Sequence, residues 1–241
     1  MTITAGAELH FQKLNEAVRE SRDTEITVDN CLGQRYIGAG LSGKTVTING
    51  TPGNALGAYL DGAEIVVHGN AQDAMGDTMN AGSIVVYGNG GDAVGYAMRG
   101  GRIFIRGNAG YRVGIHMKAY KENKPVIVIG GRCGSFLGEY QAGGTIVVLG
   151  LGGEERPIVG NFCGTGMHGG EIYLLTDKLP PLLPKQVRAE KLDGIDGGEI
   201  ADILRDYCKQ FGLDEKEVLG HAFYKLTPDS ENQYHRMYTN N

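Results

Sequence analysis

The chain has 241 residues, which is enough for one large domain or for one domain with an appendage. Forty residues are glycine, more than twice the usual share, but there is no Gly-X-Y register, so collagen is excluded. A hydrophobic content of 41% supports a buried core, and a net charge of −5 without a basic stripe argues against nucleic acid as a partner.

Segments that are missing from the sequence indicate the cellular compartment in which we expect the protein. No segment approaches the roughly 18 apolar residues that a membrane helix needs, and no signal peptide is recognisable at the N-terminus. The four cysteines are far apart and include no CxxC pair, which is typical of reduced thiols in a cytosol. We therefore expect a cytoplasmic protein that does not bind a membrane.

The first predicted element is a short helix at Glu8–Ser21, which would form an N-terminal cap over residues 1–23. Its apolar positions recur at helical spacing: Leu9, Phe11, Leu14 and Val18.

A nineteen-residue repeat occupies the chain from residue 24 to residue 177. Ile65–Asn70, Ile84–Asn89 and Ile103–Asn108 each begin with three apolar residues, end in Gly-Asn, and lie nineteen residues apart. Weaker copies on both sides bring the number of repeats to eight. A glycine column keeps the same step: Gly38, Gly57, Gly76, Gly95 and Gly114.

The repeat predicts the architecture. A strand of four or five residues cannot bury its own face, but it pairs its backbone when it stacks on an identical neighbour about 4.8 Å away. Glycines at both ends suit sharp turns with positive φ. The sequence therefore predicts an all-β fold, a single-stranded right-handed parallel β-helix of seven to eight coils with short N-terminal and C-terminal helices. Asn70, Asn89 and Asn108 are predicted to form a stacked amide ladder.

Two glycine-rich segments match nucleotide-binding patterns. Gly38–Thr45 satisfies the Walker A pattern, and Gly164–Gly169 satisfies GxGxxG. A phosphate loop needs a helix directly after it, whereas predicted strands follow here, at Val46–Gly50 and Ile172–Leu175. We therefore predict no nucleotide binding, and we expect Lys44→Ala to leave nucleotide affinity unchanged.

A few side chains could carry chemistry. Cys163 and His168 fall in one loop, with Cys133 a repeat or two away, and a thiol–imidazole pair can serve as a nucleophile or as metal ligands. The missing third ligand and the usual burial of cysteine favour a structural role. A β-helix hydrolase would need a carboxylate cluster, but only Asp73 and Asp92 share a column.

Two irregularities in the repeat predict surface loops. Lys118–Lys124 adds five residues to one repeat, and Gly152–Pro157 lengthens another. Insertions in a solenoid lie on its surface, often on the binding face. Tyrosine and arginine carry much of the energy of protein interfaces. Tyr120, Lys121 and Arg156 are therefore predicted partner contacts, provided that the two loops lie on the same face.

The chain after the repeat, 178–241, is predicted to be a linker with a C-terminal helical extension. Leu179–Pro184 is rich in proline and therefore extended. Glu199–Phe211 has apolar residues at helical spacing, and a second short helix is predicted to start at Asp214. Because the ends of a solenoid need covering, both helices are interpreted as caps.

The glycine coils, the segment Gly38–Gly43 and the segment Gly164–Gly170 resemble the GXGXG domain family. This domain closes the large chain of glutamate synthase and also occurs in one of the subunits of formylmethanofuran dehydrogenase. The resemblance covers about Thr24–Thr176 and leaves the role of 178–241 open. It implies a brace, packed between an amidotransferase part and a synthase part that carries FMN and an iron–sulfur cluster.

The resemblance also implies that this chain contains no catalytic, cofactor-binding or metal-binding residues. The chain departs from the glutamate synthase large chain by standing alone, without the nucleophilic cysteine of the amidotransferase or a four-cysteine cluster. It resembles one subunit of a split enzyme, so we expect protein subunits as partners, with FMN and Fe-S in those subunits, or a homo-oligomer. The alternatives are a brace in a formylmethanofuran dehydrogenase-type complex and a stand-alone β-helix hydrolase.

Overall fold

A computed structural model describes residues 1–152 and 156–229, and within them the chain forms one eleven-stranded sheet with three helices. The strands are β1 (Thr2–Thr4), β2 (Glu25–Leu32), β3 (Thr45–Thr51), β4 (Asp61–His68), β5 (Ala81–Val86), β6 (Arg102–Ile105), β7 (Val126–Ile129), β8 (Ala142–Val148), β9 (Gly169–Leu174), β10 (Val187–Leu192) and β11 (Phe223–Pro228). The helices are α1 (Phe11–Glu20), α2 (Gly198–Phe211) and α3 (Glu215–Leu219).

The sheet follows the order of the chain over most of its width. Strands β1 to β9 are parallel neighbours, and the nineteen-residue step is confirmed because Ile84 pairs with Ile65 on one side and with Ile103 on the other. Beyond β9 the order changes: β11 pairs antiparallel with β9, and β10 pairs antiparallel with β11. An antiparallel pair therefore ends the parallel stack.

The prediction of a single-stranded right-handed parallel β-helix is wrong. The strands form one open sheet with β1 at one edge and β10 at the other, and the segments between them are turns rather than strands of a further sheet. In the turn before each strand from β3 to β9, three alternating residues have left-handed backbone, as Ala55 (φ 61°), Gly57 (φ 62°) and Tyr59 (φ 58°) do. Such a backbone lies outside the β region and cannot continue a ladder.

Backbone hydrogen bonds join each left-handed turn to the turns beside it. The N–H of Ala55 donates to the carbonyl of Asp73 in the next repeat at 2.9 Å, and the N–H of Gly57 donates to the carbonyl of Ile37 in the previous repeat at 2.8 Å. The middle residue must be glycine, because a Cβ on Gly57 would lie 2.7 Å from Cδ1 of Ile84. Sheet and turns thus stack together.

The predicted amide ladder is confirmed at the corner that follows the strands. Oδ1 of Asn70 accepts from the backbone N–H of Asn89 at 2.8 Å, and Oδ1 of Asn89 accepts from that of Asn108 at 2.8 Å. Each side chain therefore satisfies a backbone donor one repeat further along, which is a structural role.

The sheet separates two hydrophobic cores. The inner core lies between the sheet and the turns and includes the stacked isoleucines, while the outer core lies under α2. Tyr207 of α2 is fully buried, and its hydroxyl donates to the carbonyl of Ile105 at 2.9 Å. Helix α2 covers one side chain from each of five strands: Val85, Phe104, Val128, Val147 and Tyr173.

The predicted helices are present, with one shortened. Helix α1 begins at Phe11 rather than at Glu8, and α3 begins after Asp214, whose side chain accepts from the N–H of Lys216 at 2.9 Å. The strands β10 and β11 were not predicted, and α2 with α3 connects them. The domain boundary at 177/178 stays a prediction. Among the described helices, none is long and apolar enough to cross a membrane.

Candidate partner-binding surface

Exposed aromatic side chains gather on the left-handed turns. We call five residues from three successive turns the aromatic turn cluster: Arg112, His116, Phe136, Tyr140 and Phe162. All five have left-handed backbone, with φ between 55° and 63°. All are exposed except Phe136, which is half-buried. The cluster lies on the opposite side of the inner core from the sheet.

Backbone alternation aims these side chains outward. Within one turn, Phe136 and Tyr140 reach the surface, whereas Leu137 and Gly138 are buried between them. The buried positions meet the inner core, since a Cβ on Gly138 would lie 2.6 Å from Cδ1 of Ile172. The first and third left-handed positions are therefore the ones available to display a side chain.

The rings of successive repeats are in contact. His116 and Tyr140 stack with centroids 5.1 Å apart and an interplanar angle of 11°, and Phe136 and Phe162 stack at 5.2 Å and 25°. The guanidinium of Arg112 lies 4.8 Å from the centroid of Phe136. Such aromatic and cation–π pairs each contribute about 1 kcal/mol, so the cluster is an ordered surface.

The turn itself does not require aromatic residues. The column that contains Arg112 and Phe136 holds alanine in three of the four earlier turns, at Ala55, Ala74 and Ala93, and tyrosine at Tyr36 in the first. Left-handed backbone costs a side-chain-bearing residue about 1–2 kcal/mol relative to the right-handed conformation, a cost that glycine avoids. Alanine pays this cost equally at the same position, so the backbone does not select for rings there, and the exposed rings are available for contact with another molecule.

The predicted thiol and imidazole residues occupy different environments. Cys133 and Cys163 are buried in the inner core, and burial raises the pKa of both thiols, that of Cys163 to about 12. The thiols are close enough that Cys163 further raises the pKa of Cys133. His168 is exposed, with Nδ1 3.3 Å from the carbonyl oxygen of Gly166. A nucleophilic cysteine needs its thiolate form, so this geometry favours a structural role for both thiols.

Metal binding by these residues gains no support from the arrangement around them. Across residues 1–152 and 156–229, no group of three or more His, Cys, Asp or Glu side chains is placed to hold a metal ion.

The predicted loop at Tyr120 is a tight turn fastened to α2. Tyr120 and Asn123 exchange two backbone hydrogen bonds of 3.0 Å, and Nζ of Lys121 lies 5.3 Å from the ring of Tyr120. Nζ of Lys124 lies 2.8 Å from Oε2 of Glu199 in α2. Tyr120 is 51% exposed and so stays accessible.

The second predicted loop lies at the other end of the strands. Arg156 lines a cleft of about 720 Å³ together with Lys178 and Leu179, and residues 153–155 of this loop lie outside the described residues. Tyr120 precedes β7 and Arg156 follows β8, and these strands are parallel, so the loops leave opposite ends of the sheet. The condition that both loops share one face is not met. That either loop by itself contacts a partner stays a prediction.

The ammonium group of Lys44, in the Walker-like segment, is hydrogen-bonded within the protein. It donates to the carbonyl oxygens of Val18 at 2.9 Å, Arg19 at 3.1 Å and Ser21 at 2.7 Å, at the end of α1. Strand β3 begins at Thr45, directly after this lysine. A cation at a helix C-terminus satisfies its last carbonyls, which is a structural role.

The aromatic turn cluster was missed by sequence analysis because inserted residues shift its step. Tyr140 follows His116 by twenty-four residues and Phe162 follows Phe136 by twenty-six, whereas the repeat is nineteen. Allowing for the two predicted insertions would have aligned these residues into two columns.

Comparison with known proteins gives matches of three kinds. The sequence model of the GXGXG motif family matches residues 9–229. An uncharacterized protein of Methanocaldococcus jannaschii is 41% identical over 245 residues, covering 96% of this chain and 94% of its own length. In the crystal structure of the formyltransferase/hydrolase complex FhcABCD from Methylorubrum extorquens with methylofuran, one chain is similar with a TM-score of 0.66. That likeness has 21% identity over 87% of this chain and 75% of the other, and it concerns the fold alone.

Proposed function

Because the chain belongs to the GXGXG motif family, we propose that it is a non-catalytic bracing subunit of a multi-subunit enzyme. The observation that carries this proposal is the aromatic turn cluster. Tyrosine, phenylalanine and arginine are enriched at the centres of protein interfaces, and here they are displayed on a rigid repeat rather than on a mobile loop.

The enzyme that we infer is of the glutamate synthase type, acting in ammonia assimilation and glutamate biosynthesis. The segments Gly38–Gly43 and Gly164–Gly170, which resemble those of the glutamate synthase domain, support this assignment. The chain would brace an amidotransferase subunit, which hydrolyses glutamine, and a synthase subunit with FMN and an iron–sulfur cluster. Both cofactors would belong to the partner subunits.

A second candidate is a brace in a complex of the formylmethanofuran dehydrogenase type. The similar chain in the formyltransferase/hydrolase complex of Methylorubrum extorquens favours it, because that chain belongs to a multi-subunit assembly. Both candidates assign the same physical role to this chain and differ in the enzyme that is braced.

The stacked sheet is suited to this role. At about 4.8 Å per strand, the parallel strands from β2 to β9 span about 34 Å, comparable to the diameter of a small domain. Hydrogen bonds between neighbouring turns supplement those of the sheet, so the two sides of each repeat are both held. Subunits bound at separate places on such a body would keep a fixed spacing and orientation.

The test is purification of the chain from the organism that makes it, with an affinity tag and an unrelated tagged protein as control. An amidotransferase and an FMN protein in equal amounts, with glutamine-dependent glutamate formation, would support the glutamate synthase assignment. Formyltransferase or metallopterin subunits would support the second candidate. Recovery of the chain without any stoichiometric partner would reject both.

A further inference from the structure

In the four turns between residues 54 and 118 the charged residues divide by sign, whereas Arg35 and Glu139, at the turns on either side of this segment, do not follow the division. Between residues 54 and 118, the charged residues in or directly beside the turns are first all acidic and then all basic. The acidic group is Asp61, Asp73, Asp77 and Asp92, and the basic group is Arg99, Arg112 and Lys118. The basic group adjoins the aromatic turn cluster, to which Arg112 belongs.

The acidic half is largely engaged within the protein. Oδ1 of Asp73 accepts from the N–H of Asp92 at 2.8 Å, and Oδ1 of Asp92 accepts from the N–H of Tyr111 at 2.8 Å. Oδ1 of Asp77 accepts from the hydroxyl of Thr78 at 2.8 Å. The carboxylates of Asp73 and Asp92 therefore fasten one repeat to the next, as the asparagine ladder does, while that of Asp77 is bound within its own turn, and all three have less capacity to bind a partner.

The basic half points its donors outward. Arg99 and Lys118 are exposed, and neither forms an ion pair within the described parts of the chain. Arg112 binds Glu139 through Nε at 3.1 Å, and the carboxylate side chain is only 13% exposed while the arginine is 49% exposed. The pairing uses one edge of the guanidinium, and the fork geometry of arginine leaves its terminal nitrogens available to a carboxylate.

We propose that the aromatic turn cluster, together with Arg99 and Lys118, docks a surface of the partner subunit that has an apolar centre and an acidic rim. This inference rests on the proposed function, because the partner is the braced enzyme subunit. The rings supply the desolvated centre of the interface, and the cations at its rim steer an acidic surface into register.

The experiment uses the subunit that co-purifies with the native chain. It compares the binding of this subunit to the wild-type chain and to folded variants. Tyr140→Asn removes a ring while asparagine tolerates left-handed backbone. We expect it to weaken binding about tenfold or more, as for a residue at an interface centre. Arg99→Glu with Lys118→Glu should also weaken binding and reduce its loss between about 50 and 300 mM salt, because screened charge pairs are removed.

The matched control is Tyr59→Asn. Tyr59 has the same turn position as Tyr140 with φ 58°, is 57% exposed, and lies in the acidic half. We expect it to leave the dissociation constant within about twofold of wild type, as surface residues outside an interface do. Hydrogen exchange of the complex should show protection at residues 136–140 and not at residues 55–59.

Several results would overturn the inference. Equal effects of Tyr140→Asn and Tyr59→Asn, or protection elsewhere, would reject this surface while leaving the bracing function intact. So would sedimentation showing that the chain self-associates through these residues, or competition for them by a single-stranded RNA oligonucleotide. Absence of any partner in the native purification would reject the proposed function and this inference together.

Discussion

Single residues decide where the chain can turn, and the middle glycine of each turn is the most constrained. Gly57 combines a left-handed backbone with contact to the isoleucine column, whereas Ala74, at the first left-handed position of the next turn, is half-buried and is not part of the inner core. The two positions have similar φ but differ in the space around Cβ. Substitutions at the two positions therefore distinguish the cost of a steric clash from the cost of a strained backbone.

Gly57→Ala is expected to destabilise the protein by about 2–3 kcal/mol, because the new methyl group would displace Ile84 and the backbone would stay left-handed. The measurement is the free energy of unfolding in urea. Ala74→Gly is the control, and we expect it to be neutral or to stabilise by up to about 1 kcal/mol through relief of strain. Equal losses for both variants would contradict the steric explanation.

The buried thiols should be unreactive in the folded protein. Cys133 and Cys163 are buried and the pKa of Cys163 is raised to about 12, so neither should form a thiolate near neutral pH. We expect a disulfide-exchange reagent to titrate both only after unfolding in guanidinium. Rapid labelling of Cys163 at pH 7 in the folded chain would show that this thiol is accessible and would revive its candidacy as a nucleophile.

At the scale of elements, one lysine connects a helix to the repeat. The ammonium of Lys44 satisfies three carbonyls at the end of α1, so Lys44→Met should cost about 1–2 kcal/mol and speed hydrogen exchange in α1. Lys13→Met, on the exposed face of the same helix, should change little. Unchanged exchange in both variants would show that the lysine does not hold the helix.

Sequence periodicity predicted the strands well and the turns badly. The register of Ile65, Ile84 and Ile103 follows from their spacing, because stacking aligns equivalent residues. The openness of the sheet does not, since left-handed backbone at Ala55 or Tyr59 leaves no mark in the residue type. The spacing of residues in the sequence shows that the repeats stack, but it does not show which backbone conformation leads from one strand to the next.

Strands β10 and β11 escaped prediction for a different reason. The segment Val187–Leu192 has three charged residues among six and lies at a sheet edge, and its partner Phe223–Pro228 follows only after two helices. Pairing across such a distance depends on tertiary contacts that no local pattern encodes. The candidate surface was equally hidden, because the insertion before β7 displaced Tyr140 from the register of His116.

At the scale of the whole molecule, one polar contact joins the parallel stack to its antiparallel end. Oε1 of Glu171 in β9 lies 2.6 Å from Nζ of Lys225 in β11, and the hydroxyl of Tyr173 donates to Oε2 of Glu171 at 2.8 Å. Burial alone would raise the pKa of Glu171, but the hydrogen bonds from Lys225 and Tyr173 lower it below its usual 4.5. The pKa of Lys225 is raised, chiefly by its hydrogen bond to Glu171.

These shifts set the pH range over which the junction stabilises the fold. The contribution of Glu171 is complete above about pH 4.5 and is lost as pH falls through its lowered pKa, while that of Lys225 is lost only above pH 10.5. Because the pair is partly exposed, Glu171→Gln should cost about 0.5 kcal/mol at pH 7. The difference from wild type should shrink as pH falls below about 4.5, and Glu190→Gln, at the exposed edge, should show no such convergence.

The antiparallel end has a consequence for how such a molecule can vary in size. A parallel stack grows by whole repeats, and the antiparallel strand β11 ends it after β9. The length of the stack can therefore change only by whole repeats. Gain or loss of one repeat would move everything beyond it by about 4.8 Å, with no intermediate value available. The distance between two molecules bound at opposite ends of this chain is thus set in whole strand spacings.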